Sequence, residues 1–256
     1  MPWVISTERC HRSINGMMTM MKRCAVFGAS GGIGAALTAL LAAREDVQAV
    51  HALSRSGGAG HGKVVAHRFD LLEESSISAA CEAIGTPLDL VIVATGRLVR
   101  ENGEGPEKSW RALDAGAMAE LYAINTIGPA LIARHTLPLL PKDRPAVFAA
   151  ISARVGSISD NRLGGWHSYR SSKAALNMLV RNLAVELART HPQAVAVTLH
   201  PGTVDTPLSR PFQRGVPAEK LFTTERSARH LLDVIDGLTT AQSGRLIAWD
   251  GAEIPF

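Results

Sequence analysis

Lys22-Arg23-Cys24-Ala25-Val26-Phe27-Gly28-Ala29-Ser30-Gly31-Gly32-Ile33-Gly34 is the stretch that decides the fold. Lys22 to Phe27 closes on an apolar run and reads as a buried first strand. The glycine turn follows directly, and an Ala/Leu-rich segment to about Arg44 reads as a helix. Strand, glycine turn and helix in that order form the layout of a dinucleotide site. The glycines let the backbone approach a pyrophosphate, and the helix N-terminus supplies N–H groups and partial positive charge. The spacing Gly28-x-x-x-Gly32-x-Gly34 differs from the Gly-x-Gly-x-x-Gly arrangement usual in such sites.

Working outward, strands and helices alternate. Val47 to Leu53 reads as a second strand, Lys63 to Phe69 as a third and Leu88 to Ala94 as a fourth, with a helix over Glu73 to Ile84. Pro145 to Ile151 and Ala194 to Leu199 give strands five and six, and Arg245 to Trp249 a last one. Helices are expected over about Ala117 to Leu140, His167 to Thr190 and Thr224 to Asp236, with Gly128-Pro129 bending or breaking the first. This pattern predicts an α/β fold: a single Rossmann-type, doubly wound, mostly parallel sheet of about seven strands with helices on both faces. Right-handed crossovers then bring the strand ends to one edge. Residues 21–256 read as one dinucleotide-binding domain, and residues 1–20, which lack periodicity, as a loose extension.

Several positions at the strand ends point to a cofactor. The second strand ends in Ser54-Arg55, where an NAD-preferring site carries an acidic residue for the ribose. An Arg can instead pair with a 2′-phosphate, so NADP(H) is expected over NAD(H), which the site could still take. The plainer reading of Arg55 is a solvated residue ahead of the loop from Ser56 to Gly60. Asp70-Leu71 closes the third strand, and Asp70 reads as a helix N-cap, a cofactor contact, or both. Ala94-Thr95-Gly96 closes the fourth, where Gly96 would let the backbone pass close to a ribose.

Tyr169 and Lys173 lie one helical turn apart and project from one face. A cation there favours the phenolate and lowers the pKa of a Tyr, ordinarily about 10, toward the range of a useful acid or base. Asn125, amid Leu121, Ile124 and Ile127, is a buried amide that needs partners, either in the core or in a site.

Composition excludes other classes. Of the 256 residues, 46% are hydrophobic and 20% charged, an ordinary globular balance. The net charge of +4 is spread without a long basic run, so no nucleic-acid partner is expected. Cys10, Cys24 and Cys81 fit neither a disulfide framework nor a metal site and suit a reducing cytoplasm. No apolar run reaches the length of a membrane span, and the broken N-terminus is no secretory signal.

The glycine turn, Asn125, Tyr169 with Lys173, and Pro201-Gly202 ahead of Thr206 occur in one order, and with them the chain resembles the short-chain dehydrogenase/reductase family from Lys22 onward. The stretch Arg154 to Tyr169 and the tail Trp249-Asp250-Gly251 look like its C-factor/sniffer branch of carbonyl reductases and cell–cell signalling proteins. The resemblance implies Tyr169 as proton donor to a carbonyl oxygen, Lys173 on the nicotinamide ribose, and Asn125 interrupting its helix to hold a water in a proton relay. It also implies a cofactor surface made of Gly28, Ser30, Gly31, Gly32, Ile33 and Gly34 at the pyrophosphate, and Ser54, Arg55, Asp70 and Leu71 at the adenosine end. Ala94, Thr95 and Gly96 would then lie at the ribose, with Pro201, Gly202, Val204 and Thr206 at the carboxamide and phosphates.

Three positions depart from the family pattern. Phe27 stands where a Thr often precedes the first glycine, and Val93-Ala94-Thr95-Gly96 replaces Asn-Asn-Ala-Gly. The Ser that polarises the carbonyl is expected three residues before Gly156, at Ala153. Ser152 is favoured as the substitute, provided the backbone turns there; Ser157, twelve residues before Tyr169, is the other candidate. The function expected is therefore NADP(H)-dependent interconversion of a small-molecule carbonyl and an alcohol. The alternative is a nucleotide-binding signalling or interaction protein of C-factor type with weak or no catalysis. Asp205 to Leu221 is expected as a mobile lid over a substrate pocket that Trp166 and His167 could also line. A homodimer or homotetramer through the Asn125 helix and the Tyr169 helix is compatible with the resemblance.

Overall fold

The computed structural model describes residues 21–85 and 87–256; the extension expected at 1–20 and Cys10 lie outside them. The strands are β1 (Lys22–Phe27), β2 (Val47–Ser54), β3 (Val64–Arg68), β4 (Leu90–Val93), β5 (Ala146–Ile151) and β6 (Ala194–His200). Four short ones follow: β7 (Thr203–Val204), β8 (Leu221–Phe222), β9 (Leu246–Ala248) and β10 (Glu253–Ile254). The helices are α1 (Gly32–Ala43), α2 (Glu74–Ile84), α3 (Ala115–Tyr122), α4 (Gly128–Thr136), α5 (His167–Thr190) and α6 (Thr224–Asp236).

The main sheet runs β10-β9-β6-β5-β4-β1-β2-β3. This is the doubly wound order, with the strand order reversing between β1 and β4. It has eight strands rather than the expected seven or so: β10 adds to β9 antiparallel, Glu253 opposite Ile247 and Ile254 opposite Leu246. Two residues are too few to show an alternation in sequence. The β7–β8 pair, also unforeseen, forms a separate ribbon.

The buried strands read as continuous apolar runs because both faces are covered. Phe27, Val91, Phe148 and Ala196 pack with Ile77, Ile132 and Leu176 on the side of α2, α4 and α5. Val26, Ile92, Ala149 and Val197 pack with Leu37, Leu41 and Leu231 on the side of α1 and α6.

Two local expectations are corrected. The break in the long helical run is not at Gly128-Pro129 but just before it, in a π turn over Ala123–Ile127 that contains Asn125. Gly128 N–H bonds back to Ala123 O, five residues earlier, and Pro129 opens α4, in a first turn where no N–H is required. In an α-helix the N–H of residue 129 would serve the carbonyl of residue 125, and a proline has none to offer. Gly128 itself is a packing choice: a Cβ there would lie 2.5 Å from Leu71 Cγ. Asp70 is not the N-cap of α2, which is Glu73. Its carboxylate instead accepts from Leu72 N–H at 3.0 Å, and its own N–H donates to Ser76 Oγ at 2.8 Å.

Candidate active site

The glycine turn is tight for reasons of contact. A Cβ on Gly34 would lie 2.1 Å from Gly28 O, and Gly28 itself has φ +87° with Ala94 at 3.0 Å. Gly32 faces Thr206 and Thr224, whose methyls would lie 3.1 and 2.9 Å from an added Cβ. The turn is thereby pressed against the ends of β4 and α6. Helix α1 starts at an N-cap, Gly31, with no side-chain cap and no acidic residue in its first turn. Its first amides are the kind of donors an anion takes up.

Two cavities meet over Ala94, Thr95 and Gly96. The first, about 240 Å³, has Gly28, Ser30, Gly31, Ser54 and Arg55 on its walls, with Asp70 and Leu71 opposite. The second, about 330 Å³, has Ile33, Pro201, Gly202, Val204 and Thr206 on one side and Ser152, Ala153, Tyr169 and Lys173 on the other. Gly32 and Gly34 line neither; they make the turn that shapes both. At the junction Thr95 Oγ1 is buried and has no partner among the described residues. A close-packed glycine cradle, an uncapped helix start and an orphaned hydroxyl along one trough fit a bound dinucleotide.

Tyr169 and Lys173 both line the second cavity, and Asn125 lies behind its Gly96 edge. All three are buried, Asn125 completely. Asn125 Oδ1 accepts from Arg97 N–H at 2.8 Å, while Nδ2 donates to Arg97 O at 2.8 Å and Ser172 Oγ at 3.1 Å. A Cβ on Gly96 would lie 3.4 Å from Lys173 Nζ and 3.5 Å from Asn125 Oδ1, ordinary contact distances that place both polar groups against this strand end. Lys173 Nζ donates to Ile151 O at 2.9 Å. Burial pushes the Lys173 ammonium down to about 8 and the Tyr169 phenol up to about 12. The lowering of the phenol by its neighbour, expected from the sequence, is not what the chain alone produces: desolvation dominates, and the ammonium is committed to a backbone carbonyl.

The serine question resolves into specific contacts. Ser152 Oγ donates to Asn177 Oδ1 at 2.8 Å, on the side of the sheet covered by α5. Its backbone N–H bonds to Leu199 O, continuing the ladder. Ala153 packs in the cluster of Tyr169, Trp166 and Leu98. Ser157 Oγ donates to Pro255 O, anchoring the C-terminal segment. Ser152 thus lines the second cavity with Tyr169 but gives its proton to Asn177, and Ser157, which lines neither cavity, gives its own to Pro255.

Trp166 lines the second cavity as expected, and two further residues, His200 in that cavity and Glu107 behind it, are not singled out by the sequence. His200, the last residue of β6, lines the second cavity, and its Nδ1 is buried without a partner among the described residues. Burial, reinforced by Arg154, pushes its imidazole down to about 4 against the pull of Asp250. Its signal in sequence was its position beside Pro201-Gly202. Trp166 is the one non-glycine residue at positive φ among the described residues (51°). Its ring stands 4.9 Å from Phe212 and 6.4 Å from Tyr169. Glu107 is a buried carboxylate that accepts from Ser168 N–H at 3.2 Å and from Ser168 Oγ. Burial works to raise its pKa, but these hydrogen bonds and nearby His167 outweigh it and hold the carboxyl below its ordinary range.

The outer part of the second cavity is apolar, walled by Leu98, Val155, Trp166, Leu208, Phe212 and Val216. The last three belong to the excursion expected as a lid, whose two ends are fastened by the β7–β8 ribbon. His167 is the first residue of α5 and does not line the cavity.

Comparisons with known proteins agree with this geometry. The C-signal protein of Myxococcus xanthus is 38% identical over 169 residues, 64% of this chain and 96% of its own length. A 1-hydroxy-2-glutathionyl-2-methyl-3-butene dehydrogenase of Rhodococcus sp. (strain AD45) is 34% identical over 238 residues, 90% of this chain and 98% of the relative. Among solved structures, an NADPH-bound carbonyl reductase from chicken fatty liver superposes with a TM-score of 0.80 at 27% identity, covering 92% of this chain and 99% of that one. The carbonyl reductase Sniffer of D. melanogaster has the same fold, with a TM-score of 0.80 at 21% identity over 92% of this chain and 100% of its own. Residues 22–216 match the family described as short chain dehydrogenase. With the glycine turn and the Tyr169–Lys173 pair on the walls of adjoining cavities and the π turn at Asn125 behind them, the chain belongs to the short-chain dehydrogenase family of oxidoreductases.

Proposed function

We propose that the protein is an NADP(H)-dependent oxidoreductase that interconverts a small-molecule carbonyl and an alcohol, with Tyr169 as the group that gives or takes the proton. The observation that carries this reading is that Tyr169 and Lys173 line one cavity beside the glycine turn, with Asn125 packed close to Lys173 behind Gly96. The NADPH-bound carbonyl reductase among the structural relatives supports it further. A bound reduced nicotinamide supplies the hydride for such chemistry. The glycine turn and the start of α1 would hold the pyrophosphate, Arg55 with Ser54 the 2′-phosphate, and Pro201 to Thr206 the nicotinamide end.

The chain's own residues then have separate tasks. Tyr169 keeps its proton at neutral pH, since burial pushes its pKa up, and so is ready to donate to a carbonyl oxygen as negative charge grows there. Lys173 is still charged at neutral pH and favours the phenolate left behind. Asn125, held from three sides, fixes the loop at Arg97 and leaves a helix interruption at which a water can be held. The apolar outer walls exclude bulk water, which strengthens these electrostatic effects. The test is Tyr169→Phe: NADPH oxidation with a panel of aldehydes and ketones should fall to background while NADPH binding persists. Undiminished turnover by that variant refutes the mechanism.

A second reading has its own observation. Ala153 stands against Tyr169 where a polarising hydroxyl is expected, and the C-signal protein is among the relatives. On this reading the chain binds NADP(H) as a signalling or interaction protein and reduces carbonyls feebly. Tight NADPH binding with no turnover across the panel would favour it.

A further inference from the structure

We propose that Glu107 is a positioning residue for substrate: its carboxylate clamps the start of α5 and so keeps the Trp166 indole as the wall that orients a flat, apolar carbonyl compound. The inference rests on the reductase reading above. It begins with a backbone peculiarity. Gly164, Gly165 and Trp166 all have positive φ, at 62°, 65° and 51°. Glycine adopts such angles freely, whereas a bulky residue does so only when its surroundings impose it.

What imposes it here is the segment at Glu107. The Trp166 N–H donates to Glu107 O at 2.5 Å. Gly165 packs on the same segment, where an added Cβ would lie in ordinary contact with Lys108 O at 3.4 Å and Glu107 O at 3.5 Å. The Glu107 side chain then reaches past Trp166 and takes both the N–H and the hydroxyl of Ser168, a completely buried residue in the first turn of α5. Trp166 and Ser168 are thus both held by one residue of another loop. The indole is thereby set edge-on to Phe212 and Tyr169, with ring centroids 4.9 and 6.4 Å away. On this proposal an aromatic carbonyl compound packs against this wall, beside Tyr169.

The carboxylate can be removed without touching the backbone bond from Trp166. Glu107→Ala should raise KM for 4-nitrobenzaldehyde by up to about tenfold, the cost of re-ordering one freed side chain when substrate binds. Its kcat and its Kd for NADPH should stay within about twofold of wild type. Glu107→Gln, which keeps one acceptor and the fold, should fall between the two. In a Trp166→Gly background, where the left-handed angle is free and the wall is gone, Glu107→Ala should change KM by less than about twofold. A readout independent of turnover is ¹⁹F NMR of protein labelled with 5-fluorotryptophan. The Trp166 resonance, assigned by its loss in Trp166→Gly, should shift or broaden in Glu107→Ala. An unmoved resonance overturns the proposal. So does an equal KM penalty in the Trp166→Gly background, or a parallel loss of kcat and NADPH affinity. A wild-type protein that reduces no carbonyl compound defeats the reductase reading alone, and the fluorine resonance still decides the clamp.

Discussion

Ser152 and Asn177 are bonded side chain to side chain, Oγ to Oδ1 at 2.8 Å, and both are buried. The bond ties the end of β5 to α5 and uses the one proton the hydroxyl can give. Ala153, next along, packs beside Tyr169 with nothing to donate. Ala153→Ser should therefore raise kcat for carbonyl reduction by about tenfold or more, since an added oxyanion donor is worth up to about a hundredfold or beyond. Ser152→Ala should act on stability instead. It strips a buried acceptor of its donor, at about 1–3 kcal/mol in urea unfolding, with little change in kcat. A Ser152→Ala protein of unchanged stability and greatly reduced kcat would reverse these roles.

Arg55 is exposed at the rim of the first cavity and pairs with no carboxylate among the described residues. Beyond it lies an open groove lined also by Arg68, Ser75 and Ser76, with Asp70 and Glu73. A guanidinium so placed matches a phosphate on the ribose and has no partner to forfeit. Arg55→Ala should weaken NADPH by about tenfold or more and leave NADH nearly unchanged, as expected for one charge-assisted contact. Arg55→Asp should go further and favour NADH. The weakening should shrink at high salt, because an exposed pair is screened. Equal losses for both cofactors, measured by fluorescence titration, would show that Arg55 only maintains the loop.

Much of this was legible because the signals were local. The apolar run before Gly28, the glycine spacing and the Tyr169–Lys173 turn each carry their meaning within a few residues. α5 and α6 begin and end where their periodicity does. What could not be read depends on distant partners. The commitment of Ser152 to Asn177 and the Glu107–Ser168 clamp join residues 25 and 61 positions apart. β10 exists only because β9 offers it an edge, and the break near Asn125 shifted because Pro129 can open a helix as well as end one. The environment of the Tyr169 phenol is equally hidden in the sequence: burial, which depends on the whole fold, pushes its pKa up.

Gly34 gives a test of the cradle itself. Its missing Cβ would lie 2.1 Å from Gly28 O, a backbone atom that cannot swing aside. Gly34→Ala must push the turn and the start of α1 apart, so NADPH affinity should fall by at least about a hundredfold, a misplacement effect of the size small shifts cause in preorganised sites. Gly31→Ala meets only Gly28 O at 3.3 Å and should be tolerated far better. Isothermal titration of both variants gives the contrast; near-equal affinities would mean the turn does not hold the cofactor.

The buried ammonium of Lys173 should leave a signature in stability against pH. Its ordinary pKa of 10.5 is pulled down by burial to about 8. Between those values the unfolded chain holds a proton that the folded chain has released, so this group makes stability rise with pH across that window. Below pH 8 both states are charged and the cost of burying the charge is constant. The buried groups that hold protons too tightly slope the other way. Tyr169, Cys24 and Cys81, raised by burial to about 12, 12 and 11, make stability fall above their unfolded values of 10, 9 and 9. The test is therefore a difference: wild type minus Lys173→Met, by urea unfolding of cofactor-free protein at pH 7.5 and 9.5. Lys173→Met should be the more stable protein at pH 7.5, and its advantage should shrink by on the order of 2 kcal/mol by pH 9.5. An advantage that is constant with pH would mean that Lys173 keeps its ordinary pKa, and with it that the cleft floor is wetter than its burial indicates.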